Sequence, residues 1–101
     1  MSDEILEQKI EKLREIGDKH ADAKAELSLL ENNRKILLAT LMKDVMINSN
    51  TGKLDSAVAQ EREARADDRY KKHIEALSIA VKNEAKWNWE KKIVEMNFET
   101  W

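Results

Sequence analysis

Two histidines, His20 and His73, and twenty carboxylates are the side chains best suited to move protons or hold a metal. A metal site on helices needs several such ligands a turn apart on one face. His20 and His73 fall in opposite halves of the chain. If the chain folds back near residues 48–53, positions i and about 101 − i lie alongside, and the two rings stand about eight residues apart along the axis. They cannot share a metal, and both are expected as core or boundary histidines. Glu84 and its neighbours read as surface charges.

The carboxylates alternate with Lys and Arg at helical spacing, as in Glu7 and Glu11 beside Lys12, or Glu15 and Lys19. That pattern describes a solvated helix face with weak ion pairs. Ser2, Ser28, Ser49, Ser56 and Ser78 have no neighbouring His and acid, and two glycines do not make a phosphate-cradling loop. No catalytic residue, metal ligand or cofactor site is assigned, and an enzyme is not expected.

Chemistry of another kind gathers near the C-terminus. All three Trp, the single Phe, and Ile93, Val94 and Met96 fall within residues 87–101. Trp87 and Trp89 are about 200° apart around a helix, so they face different ways. The Trp87 stripe continues through Lys91, Val94, Phe98 and Trp101, whereas the Trp89 stripe continues through Ile93 and Met96 with Ala85 behind it. One stripe belongs to the fold and the second is available for association. It packs on a dimer mate or docks another protein, since exposed aromatic patches mark interaction sites and Trp is enriched at their hot spots. A third reading is single-stranded nucleic acid, because Lys82, Lys86, Lys91 and Lys92 interleave with Trp87 and Trp89 like a stacking platform on a basic strip. Glu84, Glu90, Glu95 and Glu99 weaken that strip.

These residues need helices to position them. An apolar seam runs through Leu6, Ile10, Leu13, Ile16, His20, Ala23, Leu27, Leu30, Arg34, Leu37, Leu41 and Val45 in steps of three and four, a mean of about 3.5. It predicts one helix over about 3–47. The small polar run Asn48-Ser49-Asn50-Thr51-Gly52 breaks it, giving a turn over 48–54. Asp55 or Ser56 then caps a second helix over about 55–100. Its seam begins small with Ala59 and Ala66, letting two backbones approach, and grows through Tyr70, His73, Leu77, Ala80, Trp87, Val94, Phe98 and Trp101. Arg34 is expected beside Asp67 and Asp68, as a partly buried charge needs a partner. The run from Gln60 to Arg69 reads as a solvated face with a Glu61–Arg65 pair and Arg65–Arg69 repulsion relieved by Asp68; Met42 and Met46 fill the bundle end near the turn.

The fold class that follows is all-α: a long, coiled-coil-like antiparallel hairpin forming one domain over 1–101. A lone hairpin buries one stripe per helix, so self-association is expected, most simply as a dimer forming a four-helix bundle. Without Cys there is no disulfide framework or thiolate site. No apolar run approaches the roughly 20 residues that cross a bilayer, and the acidic start is unlike a signal peptide, so the protein is expected in the cytoplasm. Residues 1–52 carry eight basic and ten acidic side chains and residues 53–101 ten of each, so no basic nucleic-acid footprint stands out.

The stretch Ala57-Val58-Ala59-Gln60-Glu61-Arg62-Glu63-Ala64, followed by Tyr70-Lys71-Lys72-His73-Ile74-Glu75-Ala76-Leu77 and a late Glu99-Thr100-Trp101, resembles a group of small phage and prophage helical-hairpin proteins. The likeness covers about residues 57–101, and Tyr70, His73, Leu77 and Trp101 carry most of it. Genes of that group stand among phage recombination genes, beside single-strand annealing proteins or nucleases. The resemblance implies a non-enzymatic interaction protein that binds another macromolecule, such as a recombination or host nuclease or defence component. A single-stranded nucleic-acid accessory protein and a structural coiled-coil spacer are the alternatives.

Overall fold

A computed structural model describes residues 2–47 and 52–99. Most of the expected turn, residues 48–51, and the expected seam residue Trp101 lie outside the described residues. Among those described, the chain is an all-α helical hairpin of three helices: α1 (Asp3–Asp44), α2 (Ala57–Ala66) and α3 (Asp68–Glu99).

Local chemistry explains each helix end. The Ser2 hydroxyl accepts from the Ile5 N–H at 3.3 Å, and Asp3 and Glu4 place negative charge against the N-terminal dipole of α1. That helix ends at Asp44, three residues before the expected limit. The Val45 N–H still donates to Leu41, but the Met46 N–H donates to Lys43 and tightens the chain into a turn. Ile47 and Leu54 meet in an isolated antiparallel bridge, and the Asp55 N–H donates to the Met46 carbonyl at 2.9 Å. Gly52 beside them has φ of 66°, in the left-handed region where a Cβ is strained. Ser56 caps α2 by accepting from the Ala59 N–H at 3.1 Å, one of the two caps expected from the sequence.

The second half departs from the expected single helix over 55–100. Asp67 interrupts it with extended backbone, φ −66° and ψ 137°. Its N–H closes α2 on the Ala64 carbonyl, and its own carbonyl accepts the first bond of α3 from Lys71. The Asp67 carboxylate accepts from the Arg69 N–H at 2.8 Å, so one residue ends α2 and caps α3. A short acidic side chain that reaches a nearby backbone N–H offers the chain an alternative to the helix. The break shifts the buried face: Ala66, expected on the seam, is exposed, while Ala64 is fully buried.

Contacts gather into two compact units, Leu29–Ser78 and the pair Met1–Ser28 with Ile79–Trp101. In the first, here the turn unit, Leu41, Ala64 and Tyr70 form a buried cluster with Leu37, Leu38, Met42 and Ile74 packed against it. Leu41 is 1% exposed and Ala64 0%. The second, here the terminal unit, buries Ile16 and Ala23 of α1 and Ala80 and Val94 of α3. Leu6, Leu13, Leu27, Trp87 and Phe98 are half-buried in it, whereas Ile10, expected on the seam, is exposed.

Candidate interaction surface

The turn unit is tied across its helices by polar groups. His73 Nε2 lies 2.7 Å from the Leu30 carbonyl, which can only accept, so this nitrogen carries the proton. Arg34 is not beside Asp67 and Asp68 as expected. Its Nε donates to Glu31 at 2.9 Å, one turn back on α1, and its Nη1 to the Tyr70 hydroxyl at 3.5 Å. The Tyr70 hydroxyl, and after it Glu31, raise the Arg34 guanidinium above its ordinary value. Asp67 is turned to Arg69 by its capping role, at 3.1 and 3.0 Å, and those bonds hold its carboxyl below the ordinary range. Arg69 also reaches Asp44 at 3.6 Å. Asp67 rather than Asp68 therefore neutralises Arg69, while Arg65 pairs with Glu61 at 2.7 Å and stands over the Tyr70 ring.

The terminal unit also has a part-buried polar tie between its helices. His20 Nε2 donates to the Glu84 carboxylate at 2.9 Å, with both side chains mostly buried. Glu84, read above as a surface charge, is thus an inward residue. The step from Ala80 to Trp87 in the seam is seven residues, and a spacing of four then three places Glu84 in that gap. Both histidines are committed to structural contacts, and among the described residues no group of His, Cys, Asp or Glu could hold a metal.

The C-terminal aromatics divide as their spacing predicts. Trp87 is half-buried, with the ammonium groups of Lys19 and Lys86 at 4.9 and 5.1 Å from its ring centroid. Val94 is buried and Phe98 half-buried on the same side. Trp89, by contrast, is 63% exposed, and Ile93 and Met96 are exposed beside it. At about 100° per residue, Ala85, Trp89, Ile93 and Met96 fall within a band of roughly 80°, on the side of α3 opposite Ala80, Val94 and Phe98. The helix carries an inward and an outward apolar stripe. Lys86 and Lys92 border the outward one and Lys82 lies in line with it before Ala85, whereas Lys91 is half-buried on the inward side. A stacking platform needs successive open rings, and Trp87 already has two cations over it, which leaves Trp89 alone among the described residues.

No protein-family model, curated protein or solved structure matches this chain. Among the described residues no helix is long and apolar enough to cross a membrane.

Proposed function

We propose that the chain is a non-enzymatic interaction protein that works by protein–protein contact, and that the outward stripe of α3 is its working surface. The observation that carries this is the exposure of Trp89, Ile93 and Met96 in one band on a helix whose opposite side is already buried. A solvated helix face has no need of a Trp, an Ile and a Met in register, and large apolar anchors ringed by polar groups mark binding surfaces. The non-enzymatic reading is supported by the structural engagement of His20 and His73. The resemblance of residues 57–101 to small phage hairpin proteins supports a setting among recombination components or host nuclease and defence components. Affinity purification of wild type and Trp89→Ala, with helix content followed by circular dichroism, tests the reading. It predicts a protein that accompanies wild type and is lost from Trp89→Ala at unchanged helicity. An identical set of companions for both overturns it.

A further inference from the structure

The exposed surface of the chain is 7616 Å². A folded monomer of 11.7 kDa exposes about 5,900 Å², so this chain carries about 1,700 Å² more than its mass requires. Permanent homodimers remove roughly 1,000–2,500 Å² from each chain, and the excess falls inside that range. The buried interior is correspondingly thin. Among the described residues seven apolar side chains are buried, three of them alanines, and Leu41 is the one large side chain below 2% exposure. A chain that cannot complete its core alone needs a partner present whenever it folds, and a second copy always is.

We infer that the outward stripe of α3 is covered by the same stripe of a second copy, packed antiparallel about a two-fold axis near Trp89. This rests on the reading of that stripe as a protein-binding surface, and names its occupant. A helix with apolar stripes on opposite sides belongs between two layers, which an antiparallel α3–α3 contact provides. A two-fold contact must be self-complementary. With the axis near Trp89, the two Trp89 rings meet at the centre, small Ala85 meets Ile93 of the second copy, the Lys82 stem lies along Met96, and Lys86 meets Glu90 on the same flank. Moving the axis two residues toward Ile93 instead brings Lys92 against its own copy.

The chain has no cysteine, so engineered disulfides report pairing directly. Residues 85 and 93 are about 12 Å apart along one helix, too far to bridge within a chain. The double variant Ala85→Cys/Ile93→Cys is expected to oxidise to a covalent dimer, and each single variant to remain uncrosslinked. Single variants that crosslink as readily as the double overturn the antiparallel arrangement. Light scattering on wild type should give twice 11.7 kDa, with Trp89→Glu weakening the dimer about 30-fold or more. A wild-type monomer overturns the second copy as occupant and leaves the stripe open to a different protein, so the proposed function stands. A Trp89→Glu variant that dimerises like wild type overturns the inference by placing the contact elsewhere. Should Trp89→Glu lose its helix content, the oxidation result on the double variant decides alone.

Discussion

The turn unit and the terminal unit are built from the same two kinds of seam, yet they fill their interiors differently. In the turn unit Leu41, Ala64 and Tyr70 form a continuous cluster, and His73, Arg34 and Arg69 each tie one helix to another. In the terminal unit Ile16, Ala23, Ala80 and Val94 are buried, His20 is tied to Glu84, and of two tryptophans on α3 Trp87 is half-buried while Trp89 faces outward. An alanine at the closest approach, as at Ala64, lets two helices share one interior. Bulky residues on both sides of a helix spread the apolar surface over two directions, and one helix partner covers only one of them. The proposed association surface rests on that outward apolar side of α3.

Several substitutions sharpen or break that contrast. The largest effect is expected from Leu41→Ala, which empties the one fully buried large site of the turn unit. It should lower the unfolding free energy by about 2–5 kcal/mol in urea titrations, without altering the mass of the folded protein in solution. A loss below 1 kcal/mol would show that the turn unit is not the stable half. Ser56→Ala removes the α2 cap and should cost about 1 kcal/mol by the same measurement. Gly17→Ala acts in the terminal unit, where an added Cβ meets nothing within 4 Å. It should raise stability by up to about 1 kcal/mol through helix propensity alone.

The smallest effect concerns pH. Because Arg69 holds the Asp67 carboxyl below its ordinary range, the folded state favours the ionised form. The stability from this bond is complete above the ordinary carboxylate value of about 4 and fades as pH falls through the lower folded value. Asp67→Asn should therefore lower stability most at neutral pH, flatten the acid limb of the profile and match wild type best at low pH. An unchanged acid limb would mean that the junction between α2 and α3 does not depend on that charge.

Sequence periodicity revealed the helical hairpin and most of the α1 seam, since every seam residue from Leu13 to Val45 is buried or half-buried. It also separated Trp87 from Trp89, because a spacing of two on a helix admits no other result. The break at Asp67 escaped it. No Pro or Gly marks the site, and Ala, Arg and Glu on both sides favour unbroken helix; the signal is the Asp67-Asp68 pair itself, a capping residue inside a run of helix formers. With the break unseen, Ala66 stood in for Ala64, and Arg34 was given the wrong acids. Glu84 was hidden differently, by a seam read through apolar residues only, where a histidine on one helix already called for a polar residue opposite. The stripe of Trp89, Ile93 and Met96 was visible as a pattern, but its exposure depends on what the rest of the chain leaves uncovered.

Hydrogen exchange of the wild-type protein, followed over a hundredfold range of protein concentration, tests most directly whether the terminal unit is completed by a second copy. Amides of residues 79–99 should gain protection as concentration rises, while those of residues 57–78 change little, since mass action stabilises only what the partner covers. Protection that is independent of concentration across residues 79–99, in a protein whose mass is that of one chain, would contradict the proposal that a second copy completes the terminal unit.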